Sequence, residues 1–210
     1  MQNIKAHLFS ILLLIALLLL FTATLFYPGG SQYSATSIGY SWQHNYLSNL
    51  FSEVAMNGAP NTARVWATIG MLFFCSSFAL FFWEFSSKIT DKNASKIIKY
   101  SGAFGMLIAF GAATPLHDTA ITIAGVLSLL SIFYVSVFVF KSRLLLLKFI
   151  SAAVLILSYL CNVVYYLRIY VETLPVLQKI ALAFIICWML LLKYQSTSKD
   201  FLPIDMTKGA

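Results

Sequence analysis

The chain has 210 residues, of which 60% are hydrophobic and 10% charged, and its formal net charge is +7. Soluble domains carry about 25% charged residues, so a single water-soluble core is excluded. The basic residues are scattered over short polar islands, with no basic stripe and no nucleic-acid motif, which excludes a nucleic-acid partner and makes the charge a matter of membrane topology.

Six segments approach the roughly 20 apolar residues needed to cross a bilayer. They run approximately over 8–27, 63–85, 97–114, 119–140, 144–168 and 174–194. The first apolar run is longer than the roughly 7–15 residues of a signal-peptide core, and no A-x-A site precedes Tyr27; it is expected to be an uncleaved helix. Asn61 or Thr62 is a candidate N-cap for the second span, Pro115 a candidate end for the third, and Asp118 or Thr119 a candidate cap for the fourth. The third span is rich in small residues, among them Gly102, Gly105 and Gly111, a composition that lets membrane helices approach closely; it is expected to be central in the bundle. Cys75, Cys161 and Cys187 all fall in apolar spans without paired spacing, which reads as packing rather than a disulfide or thiolate metal site.

With the N-terminus inside, the cytoplasmic side collects Lys5, Lys88, Lys92, Lys96, Lys99, Lys141, Arg143, Lys148, Lys193, Lys199 and Lys208, and the outer side only Arg64, Arg168 and Lys179. The positive-inside rule then puts both termini in the cytoplasm of a cell (inner) membrane protein. The predicted fold is all-α and polytopic: one six-helix transmembrane domain over 1–195 and a mobile cytoplasmic tail over 196–210.

The connection over 28–61 is the one long loop. Loops beyond about 12–15 residues in compact proteins are usually functional or disordered, and this one is patterned. Leu47, Leu50, Phe51 and Val54 recur at helical spacing, with His44, Asn45, Ser48, Asn49 and Ser52 opposite. This predicts an amphipathic surface helix over about 41–55, stopped by Asn57-Gly58-Ala59-Pro60.

Seven ionisable residues converge on the outer face: His44, Glu53, Arg64, His117, Asp118, Arg168 and Glu172. Such groups near membrane depth tend to be functional. Candidate catalytic residues are His117 with Asp118, where a carboxylate orients a histidine base, and His44, which has Ser48 at i+4. Candidate ligand contacts are Asn45, Ser48, Glu53, Arg64, Asn162 and Arg168; Arg168 either pairs with Glu172 at i+4 or offers its fork to an anionic headgroup. No HExxH, phosphate loop, dinucleotide fingerprint or haem motif is present, so no metal and no cofactor is expected. No ionisable residue sits mid-span in a continuous path, which argues against an ion channel or a proton-coupled transporter.

The stretch Tyr46-Leu47-Ser48-Asn49-Leu50-Phe51, the stretch Gly111-Ala112-Ala113-Thr114-Pro115-Leu116-His117 and the six-span layout together resemble the bacterial "domain of unknown function 998" group. They are more distantly similar to the Frag/DRAM/Sfk membrane family, whose members are associated with lipid and membrane homeostasis. The resemblance implies a six-span fold with a site on the outer face. Where that pattern often carries an acidic residue after the loop serine, this chain has Asn49.

The leading expectation is a membrane protein that binds a lipid or small amphiphile in an outer polar pocket under the loop. An intramembrane hydrolase or acyl transferase using His117 and Asp118, or His44, is the alternative. A structural subunit with a membrane-protein partner, or a homo-oligomer, is the third.

Overall fold

A computed structural model describes residues 2–114 and 116–202, and every extended regular element in it is helical. Six α-helices follow in order: α1 Gln2–Leu25, α2 Arg64–Ser86, α3 Lys92–Ala109, α4 His117–Lys141, α5 Leu145–Leu167 and α6 Leu174–Gln195. All but α3 are long and apolar enough to cross a membrane. Helix α3 begins earlier than its apolar segment, because the Asp91 carboxylate accepts from the amides of Asn93 and Ala94 at 2.9 and 2.8 Å. Its first turns therefore carry Lys92, Lys96 and Lys99. Apolar side chains such as Leu14, Leu18, Leu107 and Phe149 stand exposed on the outside, as they do on a lipid-embedded bundle.

Consecutive helices pack as neighbours, and α2 also touches α6. The small residues of α3 do bring it close to α2: a Cβ on Gly102 would lie 2.3 Å from the Phe82 ring. The Ser101 hydroxyl meets Ser131 of α4 at 2.5 Å. Yet α3 is peripheral, not central. Its small residues form one face only, and Tyr100, Phe104 and Leu107 on the other are exposed.

The bundle has two unequal ends. At the end that carries the 86–92 turn and the tail, Phe9, Phe81, Phe82, Phe85, Ile98, Leu147 and Trp188 form a solid core, with the Trp188 indole donating to the Ser151 hydroxyl at 2.7 Å. Lys88 closes this end by donating to the carbonyls of Leu192 and Ser196 at 3.0 and 2.7 Å. The tail is not loose as far as Leu202. Residues Ser198–Phe201 make a 3-10 turn, and Phe201 is buried edge-on against Phe85 at 5.3 Å between ring centroids. Aromatic burial holds what a scan for apolar periodicity passes over. Residues 203–210, including Lys208, and Pro115, the expected end of the third span, lie outside the described residues.

At the loop end a smaller core gathers Tyr27, Leu50, Phe51, Ala55 and Ala67 under the 26–63 connection. The predicted helix over 41–55 is not formed; only Leu47–Phe51 coils, as a 3-10 turn. Side-chain amides take the bonds a helix would need, which is how Asn competes with helical backbone. Asn45 Oδ1 accepts from Ser41 N at 2.8 Å, Asn45 Nδ2 donates to Gly30 O at 2.9 Å, and Asn49 Oδ1 accepts from Tyr46 N at 2.7 Å. Asn61 Nδ2 faces the carbonyls of Asn49, Leu50 and Ser52 at 3.2, 3.1 and 2.8 Å. Asn61 does not cap α2, which starts beyond Ala63, but its Oδ1 accepts from Ala63 N at 3.1 Å. Likewise α4 starts at His117, before the expected caps, with no side-chain cap. Chain threading is tight at Gly30, where φ is +78° and a Cβ would lie 2.3 Å from Asn57 N.

Replacing Asn61 with Leu leaves buried carbonyls without a donor, and each such group costs roughly 1–3 kcal/mol. Asn61→Leu should lower the thermal midpoint of the purified protein clearly. Thr36→Ala, which touches only an exposed hydroxyl pair, should not. Equal midpoints for both variants would refute the role given to the asparagine.

Candidate functional site

Between the solid core and the loop the bundle is hollow. A chamber of about 330 Å³ lies under the 3-10 turn, walled by apolar side chains including Leu20, Phe51, Phe74, Ile132, Leu182 and Ile185. It adjoins a wider mouth of about 580 Å³ lined by Tyr46, His117, Asp118, Tyr165, Tyr166 and Arg168. The two share Ser48, Ile121, Gly125, Ser128, Cys161, Asn162 and Gln178. A third recess of about 310 Å³, lined by Asn49, Glu53, Arg64 and Thr114, meets the mouth at Ser48 and His117.

The hollow has a local cause. On the inner side of α4 the sequence supplies Gly125 and Ser128, and a Cβ on Gly125 would meet nothing nearer than Asn162 Oδ1 at 4.0 Å. Ser128 also packs against Gly105 of α3, but Gly125, a residue type that elsewhere draws helices together, here faces open space. The loop is fastened over the hollow from α6: Leu47 N donates to Gln178 Oε1 at 3.3 Å, and Lys179 Nζ donates to Asn45 O at 2.6 Å and Pro175 O at 2.9 Å.

His117 and Asp118 behave as a pair. His117 Nδ1 lies 3.0 Å from Asp118 Oδ1, whereas His117 Nε2 is shielded and has no hydrogen-bond partner among the described residues. Ser48, the hydroxyl expected to serve His44, lines all three spaces and shares two of them with His117. His44 is elsewhere. Without a helix over 41–55 the i, i+4 relation fails; His44 Nδ1 meets Ser41 Oγ at 3.3 Å and its ring stacks on Tyr33 at 5.0 Å. It lines a separate crevice with Glu172 and Val176, so His44 and His117 do not share a cavity.

Asn45 is a framework residue rather than a ligand contact: it is fully buried, with its amide spent on Ser41 and Gly30. Arg64 pairs with Glu53 at 2.9 Å on the surface, which takes up the charge expected to meet an anion. The Arg168–Glu172 pair does not form, because α5 ends at Leu167 and Arg168 turns away with φ +56°. Its guanidinium carbon stands 5.3 Å from the Tyr165 ring centroid instead. Burial pushes the Tyr46 phenol above its ordinary value, and the Arg168 charge opposes that rise. Asn162 donates to Ser158 O at 2.8 Å, one turn back along α5. The Ser158 hydroxyl, which lines the apolar chamber, has no partner among the described residues.

Of the expected site residues, Ser48, His117, Asp118, Asn162 and Arg168 thus come together at the mouth. Glu53 and Arg64 flank it, and His44 and Asn45 fall outside. Tyr46, Gly125, Ser128 and Gln178 were missed. Only Tyr46 had a sequence signal, as part of the patterned loop stretch. Cys161 also lines the hollow, Cys75 is buried in the core, and Cys187 is exposed on the outside of α6, so packing describes one cysteine of the three. Comparison with protein-family models, curated proteins and solved structures gives no match.

The hollow makes a prediction that holds whatever it binds. In a chain carrying Cys75→Ala and Cys187→Ala, a small methanethiosulfonate reagent should modify Cys161. Adding Ser128→Phe should block that modification, read by mass; labelling at the same rate would mean the space is not there.

Proposed function

We propose that the chain crosses a cell membrane six times with both termini in the cytoplasm, and binds a lipid or small amphiphile in the hollow, at the outer leaflet. The orientation rests on the distribution of Lys and Arg. The ligand class rests on one observation: an apolar chamber opens directly into a mouth lined by ionisable and hydrogen-bonding groups, with Ser48, Asn162 and Gln178 on both. Ligand sites are commonly apolar cavities with a few polar groups that orient the occupant. The loop acts as a fixed roof, fastened to α6, rather than as an independent surface helix. The short motifs at Tyr46–Phe51 and Gly111–His117 both border this space, which supports the resemblance to the six-span family as a shared site. Protein extracted in a polymer-bounded membrane disc should retain a stoichiometric amphiphile in native mass spectrometry, and Gly125→Phe should lose it. An empty wild-type protein would remove the reading.

A second reading is favoured by the pairing of His117 with Asp118. Under it, His117 Nε2 serves as the base that takes a proton from water or from the Ser48 hydroxyl as that oxygen attacks an ester carbonyl, and gives it to the alcohol oxygen that leaves as the ester C–O bond breaks, with Asp118 holding the ring; an acyl group left on Ser48 is then released by water. His117→Gln should then abolish ester hydrolysis while retention of the amphiphile persists. If long-chain ester probes are not turned over by the wild type, the catalytic reading fails and the binding reading stands.

A further inference from the structure

The occupant's chemistry is limited by two features of the hollow that the binding reading does not use: how its cations are committed and how large the apolar chamber is. Three basic residues stand at the loop end. Arg64 is neutralised by Glu53 at 2.9 Å. Lys179 points its ammonium at two backbone carbonyls, Asn45 O and Pro175 O. Arg168 has neither an ion pair nor a hydrogen bond among the described residues, only the face of Tyr165. Asp118, the acid at the mouth, already faces His117.

Arg168 is also placed at a conformational cost. It ends α5 in the left-handed region, φ +56° and ψ +30°, where helices usually place glycine and where bulky residues are uncommon. Strain of this kind is concentrated at functional sites. A glycine there would relax the turn and lose the cation at the mouth, beside Tyr46 and Gln178.

Size sets the second limit. A dry cavity of about 150 Å³ holds one benzene, so an apolar chamber of about 330 Å³ takes roughly twice that many carbons, ~12. That is one alkyl chain of medium length. Two acyl chains of that length do not fit in the chamber.

On the basis of the binding reading above, we infer that the occupant is a single-chain anionic amphiphile, with its oxyanion head against Arg168 and its alkyl chain in the chamber behind Gly125. A carboxylate and a phosphate monoester share this chemistry, since an arginine fork accepts either.

The test uses the full chain in discs of zwitterionic lipid, titrated with dodecanoate, dodecyl phosphate, dodecanol and dodecyltrimethylammonium and followed by thermal stabilisation and native mass spectrometry. Binding of at least one anionic probe is expected, at least about tenfold tighter than dodecanol or the ammonium, a step of 1.4 kcal/mol; the stronger of dodecanoate and dodecyl phosphate identifies the head. Arg168→Gln should remove that advantage and leave dodecanol binding unchanged, and Gly125→Phe should abolish binding of every probe. Equal affinity for the anionic and cationic probes, or an anion preference that survives Arg168→Gln, overturns the inference. If the protein instead retains a two-chain phospholipid that Gly125→Phe displaces, the single-chain inference falls and the amphiphile-binding reading survives. If no amphiphile binds wild type at all, both fall.

Discussion

The constraint on which the rest of the loop end depends is the need of buried backbone groups for partners. A connection running from Phe26 to Ala63 over a membrane bundle has to satisfy its amides and carbonyls without a helix or a sheet. Here Asn45 and Asn61 each use donor and acceptor together, and Asn49 Oδ1 accepts from Tyr46 N and Asn45 Nδ2, joining segments as distant as Gly30 and Ser52. Because an asparagine amide mimics a peptide unit, each one stands in for a stretch of missing secondary structure. The network fixes the path of the 3-10 turn, and the turn supplies the roof of the chamber. At Asn45 and Asn61 glutamine or aspartate would not substitute, the first by reach and the second for want of a donor.

Phenylalanine and glycine divide the bundle along its axis. The solid end is filled by Phe9, Phe81, Phe82 and Phe85 around Trp188, with Gly102 present only so that α3 can accept Phe82. Toward the loop Gly125, Ser128 and Ala181 line an open chamber among larger apolar side chains. A rigid block thereby carries a preformed cavity, and no large rearrangement is needed to open it.

The helices were legible in the sequence, because lipid exposure requires long apolar runs and the polar islands between them mark the turns. The loop was not. The spacing of Leu47, Leu50, Phe51 and Val54 satisfies a helical pattern equally well whether the chain coils or folds back, and the choice was made by Asn45 reaching Gly30 O outside the segment and Asn49 folding back on Tyr46 N within it. Arg168 and Glu172 show the same limit, since an i+4 pair presumes a continuous helix and α5 stops between them. His117 and Asp118 could be paired from sequence because adjacency needs no assumption about the fold. The cavity itself leaves no mark, as Gly125 and Ser128 look like the close-packing residues of α3. Whether a small residue meets a neighbour or empty space depends on side chains from three other helices.

A membrane setting changes which part of such a site selects its ligand. In water, moving an alkyl chain into an apolar pocket is itself strongly favourable, at about 0.8 kcal/mol per methylene. From the hydrocarbon of a bilayer the same move gains little, since lipid tails are as apolar as the chamber walls. On the proposed reading the chamber therefore works as a gauge of length and number of chains, rejecting what does not fit rather than drawing in what does. On the proposed reading discrimination falls to the mouth, where the oxyanion meets the exposed Arg168 beside Tyr46 and Gln178. There the strength of a charge-assisted hydrogen bond depends on how well water is kept away. The loop held by Asn45, Gln178 and Lys179 supplies Tyr46 and Ser48 to that mouth, so the asparagine network and the selectivity proposed for the mouth rest on the same short segment.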